Sequence, residues 1–372
     1  MRRLFAFLLV ISSAGAFGQH AQQTSDSAKF VGSIGCKSSS CHGGAGEKRS
    51  QYITWSEKDF HTRAYAILLD ARSARIGEAV GIPQPQTSAR CSVCHSPFQS
   101  LPPDRLASTA RPDEGVSCES CHGAAEPWLL GHTRTDWTYA TRVSSGMHDL
   151  RNLSTRANAC VACHQNVDTD ILNAGHPELV FELDSQSINE PKHWKEDAPL
   201  IGPRSWLVGE AVALREITWA LAKAPFPSTE RDRLFDQESA LVWLLDKSGI
   251  ADQLVLDQVR LAEFSAFPGI QQRADEIAQR AAKWSPTNDS LMSILQTLAA
   301  SDSEFRSPNQ SRENLFYRAL RLTLGIDRLA AALNLSAKID KELSALRGDV
   351  QRHYDFDPGA FAEHLRSLRA KL

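Results

Sequence analysis

Apolar positions in the second half of the chain recur at alternating spacings of four and three. Leu315, Ala319, Leu322, Ile326, Leu329 and Leu333 fall in this way on one face of a single amphipathic helix. Similar stretches run over 206–222, 234–245, 270–284, 291–299 and 358–368, separated by Pro, Gly and Ser breaks. They predict an α-helical bundle domain over 201–372, with Trp206, Trp219, Trp243 and Trp284 read as ordinary core packing. From 28 to 200 the pattern changes to short apolar stretches broken by turn clusters at 81–85 and 101–104. Little regular structure is expected there, so something other than side chains must supply the core.

The cysteines show what that is. All eight cysteines and nine of the twelve histidines fall in this first half, and the second half holds only His353 and His364. The cysteines form four pairs, and each pair ends in a histidine: Cys36 and Cys41 before His42, Cys91 and Cys94 before His95, Cys118 and Cys121 before His122, Cys160 and Cys163 before His164. With 12 histidines in 372 residues, four such placements arise by chance on the order of one time in a million. A zinc ribbon does not need histidine after every second cysteine, and a disulfide framework needs none. CxxCH suits covalent haem: two thiols one helical turn apart add to the porphyrin vinyls, and the next imidazole becomes the proximal iron ligand. The first motif has four residues, Lys37, Ser38, Ser39 and Ser40, between its cysteines, and these are expected to loop out. The expected cofactors are four haem c groups, which leaves about 40 residues per macrocycle in a domain packed around its haems.

The function depends on the sixth ligand of each iron. Apart from the motif histidines, this half contains His61, His132, His148, His176 and His193. His61 follows Trp55 and Asp59, where an aromatic can flank a porphyrin and a carboxylate can steady the imidazole's other nitrogen. His132 follows Gly131, His148 follows Met147 ahead of Cys160, and His176 stands between Gly175 and Pro177. The distal candidates are therefore His61, His132, His148 and His176, with His193 ranked last. Met147 is the only methionine of the mature first half, so most sites are expected to be bis-histidine, which favours low potentials.

Arg2 and Arg3 precede an apolar run over 4–11 and then Ala14, Gly15, Ala16 and Gly18, the pattern of a secretory signal peptide over 1–18. The run is well short of the roughly 20 residues that span a bilayer, so no membrane span is expected. The predicted compartment is the periplasm, which agrees with haem c attachment outside the cytoplasm. A net charge of −3, made more negative by loss of the two leader arginines, offers no basic stripe for nucleic acid and suits weak contact with a basic or neutral redox partner.

The segment Gly115, Val116, Ser117, Cys118, Glu119, Ser120, Cys121, His122, Gly123, followed by Gly131 and His132, resembles the tetrahaem cytochrome c-554 family. In that family such a segment carries the third haem and then a distal histidine of another haem. The 55–64 stretch is similar to the family's tryptophan and histidine helix, which makes His61 the matching distal ligand, and His148 before the last motif follows the expected order. The resemblance covers about 35–181. It implies a periplasmic protein that stacks haems in close pairs and passes electrons from an oxidoreductase toward membrane quinones or other cytochromes. The family's second haem can lack a distal protein ligand. This chain departs from the family in its wide first motif, in Gly175, His176 and Pro177, which can close that site, and in its helical extension.

The leading expectation is electron transfer through four haems in a respiratory chain, with redox partner proteins (other cytochromes, a quinone-linked membrane complex or an oxidoreductase). The helical half is expected to dock the chain as a complex subunit. The alternative is an oxidoreductase acting on a small nitrogen or sulfur compound at one open haem, for which the Cys91 to His95 motif is the candidate. No catalytic residue is assigned, since the surroundings Ser96, Pro97, Phe98 and Gln99 offer no obvious acid or base.

Overall fold

The computed structural model describes residues 27–196, 200–250 and 267–372; the leader lies outside them. The protein is mainly α, and among the described residues the only β pairing is an isolated bridge between Phe30 and Leu106. The first half holds short helices: α1 (Gln51–Lys58), α2 (Ala64–Ile67), α3 (Ala71–Ala79), α4 (Ala89–His95), α5 (Cys118–His122), α6 (Tyr139–Ser144), α7 (Leu153–His164), α8 (Thr169–Asn173) and α9 (Leu183–Asn189). The longer helices of the second half are α10 (Ile201–Lys223), α11 (Thr229–Lys247), α12 (Phe267–Lys283), α13 (Asn288–Ala299), α14 (Arg312–Ala332), α15 (Ser336–Asp349) and α16 (Pro358–Arg369).

The periodic stretches coincide with helices of the second half, the runs over 270–284 and 315–333 each ending one residue past a helix, and several of these helices begin at polar caps. Ser228 caps α11 through the Arg231 amide, Ser311 caps α14 through Asn314, and Thr287 and Ser290 form a reciprocal capping box on α13. The helix α15 was not singled out by the sequence reading, although its buried residues Ile339, Leu343 and Leu346 repeat the same four-and-three spacing. Of the bundle tryptophans, Trp206 and Trp243 are buried. Trp219 is a correction to the expected core packing: its ring is half exposed, with Lys223 Nζ 3.4 Å from the centroid.

One apolar core runs through the bundle and reaches back across residue 200. It takes in Leu153, Ala157 and Val161 of α7 together with Phe181 and Leu183, so the helix that ends in the fourth motif packs against α10. A buried ion pair reinforces this seam. Arg321 of α14 meets Glu210 of α10 at 3.0 Å and donates to the Phe181 carbonyl at 2.6 Å. Nearby, Glu178 receives Arg233, Gln237 and the Tyr317 hydroxyl.

Three carboxylates organise the first half, one of them buried. Glu119, the residue between Cys118 and Ser120, is 2% exposed and accepts the amides of Val31, Gly32 and Ala125. Glu114 accepts from Ser33, and Glu126 accepts the Lys29 amide. The three acids hold the N-terminal strand of chain against the third motif, where apolar contacts are few. Among the described residues no helix is long and apolar enough to cross a membrane.

Candidate haem-binding site

The first half encloses a connected cavity of about 2800 Å³, lined by all eight cysteines and nine histidines. An ordinary small-molecule pocket is about 300–1,000 Å³, so this space holds several large groups. The four cysteine motifs stand around it. In α4 and α5 the cysteines lie one turn apart with His95 and His122 as the last helical residues, and in α7 Cys160, Cys163 and His164 form the C-terminal turn. The helices α4 and α5 both pack against α7, and side-chain contacts join the Cys36 and Cys118 thiols and the Cys94 and Cys163 thiols. The first and third motifs are therefore neighbours, as are the second and fourth.

The wide first motif shows how its extra residues are accommodated. The His42 amide donates to the Cys36 carbonyl at 3.2 Å, while Cys41 and Gly43 both donate to the Ser38 carbonyl, so Lys37 to Ser40 bulge outward and are exposed. His42 keeps its place, with Nδ1 2.9 Å from Gln51 Oε1 on α1.

Each motif histidine faces a second imidazole across the cavity. Ring centroids are 6.2 Å apart for His42 and His132, 6.3 Å for His95 and His176, 6.4 Å for His122 and His193, and 6.0 Å for His164 and His61. An imidazole nitrogen lies about 1.2 Å from its ring centre and a metal–imidazole bond is about 2 Å, so two imidazoles on opposite sides of one metal ion have centroids about 6.3 Å apart. The four pairs have the spacing that six-coordinate haem iron requires. The ring planes of His42 and His132 are nearly parallel at 14°, whereas the other pairs cross at 70–89°. Burial holds His95 and His164 below the ordinary imidazole pKa and His122 down to about 4, which keeps them neutral with a lone pair to give a metal.

Local structure presents each facing histidine. His132 sits in a 3₁₀ turn, edge-on to the buried Trp128, and its Nδ1 donates to the Leu129 carbonyl at 2.5 Å. His176 follows Gly175, whose carbonyl accepts from Arg72 of α3 at 2.6 Å, and its Nδ1 donates to the Pro177 carbonyl. His61 follows Asp59, which caps the turn through the His61 amide. The Val116 amide donates to the His61 carbonyl, and Gly115 is required beside it both by its φ of +74° and because a Cβ there would lie 2.7 Å from that carbonyl oxygen.

One distal candidate does not face a motif histidine. His148, a distal candidate, donates from Nδ1 to the Cys121 carbonyl at 2.9 Å, lies beside Gly123 and is exposed; no motif histidine stacks against it. His193, ranked last, is the imidazole opposite His122. Its segment is held by Glu196, which pairs with Arg156 of α7 at 2.9 Å and accepts from Trp194 Nε1, while His193 Nδ1 donates to the Pro191 carbonyl. Trp194 and two charged anchors next to a histidine were the available sequence signal.

His61 differs from the others in its electrostatics. Its Nδ1 lies 3.0 Å from Asp59 and 3.3 Å from Glu190, and the two carboxylates raise its pKa to about 10. With Nδ1 engaged there, Nε2 is the nitrogen left for the side facing His164, and it has to release its proton before it can bind a metal. No curated protein and no solved structure matches the chain. Residues 35–123, which carry the first three motifs and His61, match the family described as cytochrome c554 and c-prime, and the match supports a cytochrome c-554-like family with covalently bound haem c.

Proposed function

We propose that the protein is an exported, periplasmic electron carrier with four haem c groups, each attached by one cysteine pair and held between two histidines. The pairs are His42 with His132, His95 with His176, His122 with His193, and His164 with His61. Bound in this way, haem supplies a one-electron iron couple. The chain's own contribution is to fix both imidazoles of each pair, to set the hydrogen bond on their second nitrogens and to keep the thioether edges of neighbouring sites in contact. The observation that carries this reading is the set of four imidazole pairs at the spacing of two ligands on one ion.

The same observation bears on the alternative, catalysis at an open haem on His95. His176 stands opposite that histidine and is fixed by the Arg72 contact to its turn. Electron exchange with protein partners needs no vacant iron position, and a net-acidic surface suits docking on a basic or neutral partner such as another cytochrome, an oxidoreductase or a quinone-linked complex.

Haem stoichiometry and carbon monoxide binding to the reduced, purified protein test the proposal. Four haems per chain with no carbon monoxide adduct is the expected result. An adduct on about one haem in four would reject the fully bis-histidine assignment and favour a ligand-binding enzyme.

A further inference from the structure

Three of the four facing histidines donate Nδ1–H to a backbone carbonyl: His132 to Leu129, His176 to Pro177 and His193 to Pro191. Among the motif histidines, His42 meets the Gln51 amide oxygen and His95 the Ala64 carbonyl. All these acceptors are neutral. Of the paired histidines, only His61 is given carboxylate contacts, and it has two of them. One is local, from Asp59, which is 6% exposed; the other is brought from 129 residues away by Glu190, the residue that ends α9. This rests on the pairing of His61 with His164 proposed above.

We propose that Asp59 and Glu190 are positioning residues that make the haem of the fourth motif the lowest-potential centre of the four. A carboxylate accepting from Nδ1–H draws the proton toward itself and moves electron density to Nε2, which makes the imidazole a stronger donor to the metal. The ferric ion gains more from a stronger donor and from two nearby negative charges than the ferrous ion does, so this centre is the last of the four to be reduced and the first to give its electron up. Backbone carbonyls polarise their imidazoles less and add no net charge. The chain also ties this device to the neighbouring site: Pro191 to His193 directly follow Glu190, so the segment that acidifies the surroundings of His61 also supplies the imidazole opposite His122.

The test is a mediated redox titration of the full-length holoprotein at fixed pH, comparing Glu190→Gln and Asp59→Asn with the parent. Both substitutions keep side-chain shape and a hydrogen-bonding group. In each, the lowest of the four one-electron waves is expected to rise, the reduced-to-oxidised ratio of that haem at a fixed potential increasing about tenfold, or about 59 mV, while the other three stay in place. Glu57→Gln removes the same charge from an exposed position on α1 and is expected to move none of them. An unmoved lowest wave, movement of a different wave, or an equal shift of all four would overturn the proposal. His61→Ala separates this from the underlying assignment. If it gains carbon monoxide binding and loses the lowest wave, the axial pairing stands and the carboxylate variants decide. If it gains no carbon monoxide binding, the pairing itself fails and the proposal with it.

Discussion

At the scale of single residues, His193 and His148 separate local pattern from three-dimensional placement. Both lie in the first half, both have an Nδ1 bonded to a backbone carbonyl, and only His193 stacks within ligand-sharing distance of a motif histidine. His193→Ala is therefore expected to convert one haem in four to a carbon monoxide-binding, high-spin form, whereas His148→Ala leaves the low-spin spectrum and the absence of an adduct unchanged. The opposite pattern in the difference spectra would restore His148 as the ligand of the His122 site. The reason the ranking and the placement differ is physical. Cysteine attachment is chemistry between neighbours in sequence, so all four motifs are legible from spacing alone. An imidazole that faces a motif histidine comes from a distant segment, and the segment of His193 is held by the Arg156 to Glu196 pair, whose partners lie 40 residues apart. The Asp59 contact to His61 was legible because the two residues lie two apart; the contact to Glu190, from a distant segment, was not.

At the scale of the helices, the second half was legible because each buried face repeats every three or four residues, as in α14 with Leu315, Ala319, Leu322, Ile326 and Leu329. What periodicity does not reveal is the charge placed inside that face. Glu238 of α11 is fully buried, takes a 2.7 Å hydrogen bond from Thr218 of α10 on one oxygen and leaves the other without a partner. Burial pushes its pKa up from 4.5 to about 7. Because the folded state binds this proton more tightly than the unfolded state, the contribution is fully present below about pH 4.5 and is lost as pH rises through 7. Asp184, at about 6, and Glu210, at about 7, slope the same way. Glu238→Gln keeps an acceptor for Thr218 and removes the ionisation, so it should flatten the decline and raise stability at pH 8 by roughly 3–4 kcal/mol, at about 1.4 kcal/mol per pKa unit. Urea unfolding at pH 5 and pH 8 checks this, and parallel losses in parent and variant would show that Glu238 is not the group responsible.

At the scale of the whole molecule, the distribution of cysteines suggests a redox half and a helical half that meet near residue 200, but the apolar core does not divide there. The helix α7 ends in Cys160, Cys163 and His164 on one side and contributes Leu153, Ala157 and Val161 to the bundle core on the other. Burying a Val or Leu side chain is worth about 1.5–3 kcal/mol each, and the same seam holds the Arg321 bonds to Glu210 and the Phe181 carbonyl and the Glu178 cluster. The short helices around the cavity have few apolar neighbours of their own, so the bundle acts as the solid wall against which the fourth motif is set. A chain ending at residue 199 would expose that face of α7 and free the segment between His164 and His193, which supplies the imidazoles opposite His95 and His122. Such a chain is expected to carry fewer than four haems and to bind carbon monoxide at the sites of the second and third motifs, where none is expected to bind in the parent. Four haems per chain, no adduct and an unchanged redox titration would instead show that 28–200 is a self-sufficient redox domain and that the helices serve only to dock it.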